Sequence, residues 1–113
     1  MPAQRCIRLG KIGEDIACAE LRRRGYAILA RRYRTRAGEL DIVAEDGRTL
    51  VFVEVKARGS MDYGGAAAAV TLLKQRKLCA MAMDYISRRG VAPERACRFD
   101  VVAVQLSEQG SSA

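Results

Sequence analysis

Apolar positions recur with helical spacing from Leu9 to Arg24, in two adjoining stripes: Leu9, Ile12, Ile16 and Ala19 on one, Gly10, Glu14, Ala17 and Leu21 on the next. Gly25 supplies the C-terminal stop. Glu14 is the exception within its stripe, because an acid among small and apolar residues faces the interior and needs a partner there. Tyr26 to Ala30 reads as a short strand and Arg31 to Arg36 as a basic connection. A period of two then runs through GELDIVAEDGRTLVFVEVKAR, from Gly38 to Arg58, interrupted by Asp46-Gly47, a favoured two-residue hairpin turn. Helical spacing returns from Leu72 to Arg89, with Thr71 as N-cap, Leu72, Cys79, Met83 and Ile86 on one stripe, and Gly90 at the end. The run Ala66 to Ala69 fits either an extension of that helix or a loop, and Cys97 to Leu106 is apolar enough for a buried strand. The order α-β-β-β-α-β predicts an α/β fold, a mixed β-sheet with flanking helices. It fits one domain over residues 1–106, followed by a disordered polar tail, 107–113.

With Asp46-Gly47 as the turn, Glu45 pairs with Arg48, Asp41 with Phe52 and Glu39 with Glu54. Alternation then brings Glu39, Asp41, Glu54 and Lys56 to one face. Leu40, Ile42 and Ala44, with Val51, Val53 and Val55, line the other, the better candidate for the main core. A loop longer by two residues preserves this parity, whereas a three-residue loop sends Asp41 to the opposite face. Like charges opposed or diagonal on a sheet repel, so three carboxylates around one lysine are a poor choice for stability alone. A hard divalent cation such as Mg²⁺ compensates them, since it takes oxygen ligands and needs only one or two protein carboxylates. Asp41 and Glu54 then hold the ion, and Lys56 orients its bound water or steadies developing negative charge. Spacing alone slightly favours the ordinary alternative, a solvated hairpin face with Lys56 in cross-strand ion pairs. The run LVFVEVK shifts the balance: it reads as a strand covered on both faces, which leaves an acid and a lysine without easy access to water.

Composition narrows the chemistry further. Half of the 113 residues are apolar, enough for a modest core. No stretch approaches the roughly 20 apolar residues that span a bilayer, and the N-terminus lacks the apolar core of a signal peptide, so a soluble cytoplasmic protein without membrane contact is expected. Cys6, Cys18, Cys79 and Cys97 show no CxxC spacing and there is no histidine, which argues against structural zinc and removes Ser/His and Cys/His nucleophile pairs. The formal charge is +7 and sixteen of the twenty basic residues are arginine, whose planar fork suits phosphate oxygens. An arginine-rich solvated surface accounts for the charge equally well. Arg22, Arg23 and Arg24, then Arg31, Arg32, Arg34 and Arg36, are candidates for a phosphate-binding rim, with Arg58, Lys74 and Arg76 nearer the acids. Tyr26, Tyr33, Tyr63 and Tyr85 show no spacing of a base-stacking platform, so recognition of backbone or shape is expected.

A carboxylate in one strand, Glu-x-Lys in the next and a Glu in a preceding helix resemble the PD-(D/E)XK nuclease superfamily, whose fold is restriction-endonuclease-like. A closer resemblance, from about Gly10 to Val104, is to the YraN family of small bacterial proteins, themselves similar to Holliday-junction resolvases. It rests on Gly10, Gly13 and Glu14, on GELDIV (38–43), FVEVKAR (52–58), YGG (63–65), Lys74, and RFDVV (98–102). The resemblance implies that Asp41 and Glu54 are metal ligands for Mg²⁺ or Mn²⁺, Lys56 the catalytic lysine, and Glu14 an outer carboxylate completing the site. Glu39 is an accessory acid matched in the family rather than in the wider motif. Where the family usually has Asn before the aromatic or apolar residue and Arg, this chain has Arg32-Tyr33-Arg34. The expectation is an endonuclease acting on structured or branched DNA, with Arg32, Arg34, Arg58 and Lys74 at the nucleic acid. Resolvase-like cutting of two strands implies a homodimer. The rivals are a non-catalytic nucleic-acid-binding or assembly module on the same fold, and a basic protein associated with RNA or the ribosome.

Overall fold

Among the described residues, two helices and four strands follow one another as α1 (Pro2–Arg23), β1 (Ala27–Thr35), β2 (Gly38–Asp46), β3 (Thr49–Arg58), α2 (Leu72–Arg89) and β4 (Cys97–Gln105), the order that the alternation predicts. This computed structural model describes residues 2–58 and 71–106, with side chains for 10–57 and 71–106. The YGG motif, the alanine run, the tail and the side chains of Cys6, Leu9 and Arg58 lie outside the described residues. Among the described residues no helix is long and apolar enough to cross a membrane.

The strands lie in the order β1-β2-β3-β4. The first three form an antiparallel meander, and β4 runs parallel to β3 after the α2 crossover. Helices cover both faces. On one, Ala17, Cys18 and Leu21 of α1 pack on Ile42, Ala44, Val51, Val53 and Val104. On the other, Leu78, Met81, Ala82 and Tyr85 of α2 pack on Leu40, Val43, Leu50 and Phe52. Each fully buried Val, Leu, Ile or Phe contributes about 1.5–3 kcal/mol. β2 and β3 carry such residues towards both helices and are therefore the firmest part of the sheet. The double cover expected of LVFVEVK is what the structure shows.

Several sequence-based details are corrected. α1 starts at Pro2 rather than Leu9, and its outer stripe is solvent-facing: Ile12 and Ile16 are exposed while Gly13, Glu14, Ala17, Cys18 and Leu21 are buried. β1 runs on to Thr35, so most of the expected basic connection is strand. The hairpin turn is Gly47-Arg48, with Asp46 opposite Thr49 and Ile42 opposite Val53. Gly47 has φ 60°, at the first central position where a type II′ turn needs glycine. The shift keeps the parity, so Ile42, Ala44, Val51 and Val53 share a face as expected. Leu40 does not join them.

The capping of α2 agrees with expectation: Thr71 Oγ accepts the Lys74 N–H and the chain leaves the helix at Gly90. Its buried stripe, however, is Leu78, Met81, Ala82 and Tyr85, while Leu72, Cys79 and Met83 are exposed. Apolar residues surround this helix on most sides, so periodicity alone could not choose the stripe. β4 is not a buried strand either: Phe99 is 46% and Val101 40% exposed. Among the described residues it is an edge strand bonded to β3, and α2 packs on β2 instead.

α1 approaches β3 closely at Gly13, where a Cβ would lie 2.5 Å from the Cβ of Ala57. Only glycine lets α1 sit this near β3. Gly13→Ala is expected to destabilise the fold by about 1–3 kcal/mol through overpacking, and Ala57→Gly in the same chain should recover part of the loss. Urea unfolding of the two single variants and the double variant measures it.

Candidate functional site

β2 and β3 pair from Asp46 and Thr49 as far as Ile42 and Val53, the last pair in their register. Beyond it β2 stays with β1, through Leu40 opposite Tyr33 and Glu39 opposite Arg34, while β3 stays with β4 as far as Arg58 opposite Gln105. The sheet therefore splits into two arms. Asp41 stands at the fork, and its Oδ2 accepts the Val55 N–H at 2.7 Å. A side-chain carboxylate thus serves a β3 donor just past the last β2 partner.

Both strands of the β1–β2 arm turn over at this point. Ile42 packs towards α1 and Leu40 towards α2, although regular alternation would put them on one face. Opposite Asp41 in that arm, Arg32 has φ 53°, a left-handed backbone in a non-glycine residue. This conformation lets two consecutive arginines converge on one carboxylate. Arg31 Nε donates to Glu14 Oε1 at 3.1 Å, and Arg32 Nε lies 3.3 Å from both Glu14 oxygens. Glu14 is 6% exposed. A buried carboxylate left without a partner is costly, and that need offsets the strain of about 1–3 kcal/mol at one left-handed residue. The interior partner that Glu14 requires is this arginine pair.

β3 alternates regularly, with Val53, Val55 and Ala57 towards α1 and Phe52, Glu54 and Lys56 towards α2. Glu54 and Lys56 share a face as expected, but Asp41 lies at the fork between the two faces rather than squarely on theirs. A cleft of about 270 Å³ on the α1 side is lined by Glu14, Arg32, Glu39 and Asp41. A second, of about 330 Å³ on the α2 side, is lined by Glu39, Glu54, Lys74 and Lys77. Glu39 borders both clefts.

Burial pushes the Asp41 carboxyl up to about 7; the Val55 N–H opposes the rise, and the neighbouring Glu54, in hydrogen-bonding contact, and Glu14 add to it. Lys74 Nζ sits 3.5 Å from Glu54 Oε1 and in hydrogen-bonding contact with Lys56. That contact, followed by burial, lowers the Lys56 ammonium, while the same contact raises Lys74.

Of the other candidates, Arg34 is 89% exposed in its side chain, with Nε 3.4 Å from Glu39. Arg23 and Arg24 both bind Glu20 on the surface of α1, exposed pairs worth about 0–1 kcal/mol. Sequence reasoning missed the Arg31 and Arg32 clamp and the contact of Lys74 with Lys56. The first depends on a backbone reversal and the second on how α2 docks; neither leaves a mark in local spacing.

The model described as "Uncharacterised protein family UPF0102" matches residues 13–104 of the chain. A UPF0102 protein of Desulforapulum autotrophicum is 52% identical over 97 residues, which cover 86% of this chain and 79% of the relative. One of Symbiobacterium thermophilum is 48% identical over 103 residues, 91% of this chain and 86% of the relative. One of Geobacter sulfurreducens is 49% identical over 98 residues, 87% and 76% of the two.

The raised Asp41 carboxyl sets a pH dependence. Between its ordinary value of 3.8 and about 7 the folded chain holds a proton that the unfolded chain has released, so stability falls as pH rises through that window. In buffer free of divalent cations, thermal melts should show this decline for the wild type and a flatter profile for Asp41→Asn.

Proposed function

We propose that this chain, which belongs to the uncharacterised protein family UPF0102, is a cation-dependent endonuclease of the PD-(D/E)XK type acting on branched or otherwise structured DNA. The observation that carries the reading is the Asp41 carboxyl, buried at the fork, touching Glu54 and held up to about 7. Two carboxylates in contact, with Lys56 two residues beyond the second, present oxygen donors side by side. Hard oxygen donors of this kind fit Mg²⁺ or Mn²⁺, which complete their shells with water and phosphate oxygens. Among the described residues no three acidic or cysteine side chains form a ready metal cage, so the protein's share of such a site is Asp41 and Glu54.

A cation held there lowers the pKa of a bound water and offsets charge on the phosphodiester. Lys56, on the same face as Glu54, orients the attacking water or steadies negative charge as it develops. Glu14, fixed by Arg31 and Arg32, adds negative potential at Asp41 from across the α1-side cleft and serves as the outer carboxylate. Arg34 projects from the β1–β2 arm, where it can meet the DNA backbone; Arg32, Arg58 and Lys74 complete that set. The sugar-phosphate chain, rather than the bases, is the element recognised. Cutting both strands of a junction needs two such sites, and the exposed Ile12 and Ile16 of α1 offer apolar contact for a second copy. The working compartment is the cytoplasm.

One observation favours a second reading. Because Glu14 is engaged by two arginines, the fork offers two acids rather than three, which suits a binding or assembly module that keeps the fold without turnover. The two readings part in one experiment. Nicking of cruciform and flapped DNA in Mg²⁺ or Mn²⁺ should be abolished in Asp41→Ala and Glu54→Ala, and slowed about 100-fold or more in Lys56→Ala, the range for removing a positioned proton-handling group. Salt-sensitive DNA binding that persists in these variants, with no nicking by the wild type, would establish the module instead.

A further inference from the structure

Lys74 occupies an unfavourable place for a cation. It lies in the first turn of α2, three residues after the Thr71 N-cap, where the helix dipole is positive and acidic residues are preferred. That turn contains no acidic residue. A second ammonium, Lys56, is in contact with it. What holds Lys74 is Glu54, 3.5 Å from its Nζ, with the Lys74 side chain 32% and the Glu54 side chain 13% exposed. Lys77 borders the same cleft, yet among the described residues no ion pair joins it to Glu54.

We infer that Lys74 is a built-in counter-cation that occupies Glu54 until a phosphate-like anion draws its ammonium away, so that anion arrival and divalent-cation uptake are coupled. This rests on the reading of Asp41 and Glu54 as a cation site and adds its regulation. Electrostatics sets the direction. One ammonium cannot neutralise Glu54 and leave that carboxylate open to a divalent ion, whereas an anion seated against Lys56, Lys74 and the α2 N-terminus gives all three positive groups a partner. By linkage, whatever relieves Glu54 of Lys74 strengthens cation binding, and the cation in return strengthens anion binding.

The test is a calorimetric Mn²⁺ titration of the wild type and of Lys74→Met, Lys74→Gln and Lys77→Met, repeated with sodium sulfate replacing chloride at equal ionic strength. In chloride, both Lys74 variants should bind Mn²⁺ about tenfold more tightly than the wild type, the scale of one charge a few ångströms away in a partly solvated site. Lys77→Met, which removes the same charge from the same wall, should stay within about twofold. Sulfate should tighten Mn²⁺ binding by the wild type and leave the Lys74 variants unchanged. A wild type that binds weakly or not at all beside Lys74 variants that bind well would also support the inference. Equal shifts for Lys74→Met and Lys77→Met would reduce the effect to general charge and overturn it. So would unchanged affinity in the Lys74 variants; if wild-type binding is still lost in Asp41→Ala, the cation-site reading survives that result. No Mn²⁺ binding by any variant would remove both.

Discussion

The structure turns on the parting of β2 from β3 at Asp41. Up to Ile42 and Val53 the two strands share main-chain bonds and a core on each side. Beyond that pair, the Val55 N–H is met by a carboxylate instead. Were Asp41 an apolar residue, this donor would have to find another partner or face the loss of about 1–3 kcal/mol that an unsatisfied buried group carries. The hydrogen bond therefore fixes where an acid must sit, and the fork it props open sets that acid in the wall of the α1-side cleft. Glu54 and Lys56 follow on β3, positioned by strand alternation rather than by any loop, so their spacing is as rigid as the sheet. The close seating of α1 at Gly13 holds β3 from behind.

Charge in this chain is less available than its total suggests. Many arginines are committed within the fold: Arg31 and Arg32 to Glu14, Arg95 to Glu45, Arg98 to Asp46 and Asp100, Arg88 to Asp84. Arg98 also donates to the Tyr26 hydroxyl, tying β4 to the start of β1. The α2-side cleft, with Lys74 and Lys77, is one of the places where cations still border open space.

How much of this was legible beforehand follows from the range of each interaction. Caps, turns and alternation are local, so the order of elements, the Thr71 and Gly90 boundaries of α2 and the shared face of Glu54 and Lys56 could be read directly. Glu14 as an interior acid was legible too, because a carboxylate inside an apolar stripe contradicts its neighbours. The stripe chosen by α2, the exposure of Phe99 and Val101, and the reversal at Arg32 depend on which helix lies over which strand. For Leu40 the period of two gave the wrong face, because two facing strands turn over together, a correlated event that neither strand's pattern reveals alone.

The left-handed backbone of Arg32 carries a cost of its own, because a non-glycine side chain rarely adopts it. Asn is among the non-glycine residues that adopt that conformation most readily, so an Asn at position 32 would suit the chain path by itself. Arginine gives up that ease and returns an ion pair to Glu14. Position 32 is thus a trade between backbone comfort and the neutralisation of a buried acid, and the two solutions differ in how firmly Glu14 is held. In this chain Glu14 is tethered by Arg31 and Arg32, so it is held on the α1 side of the fork while Asp41 and Glu54 meet within it.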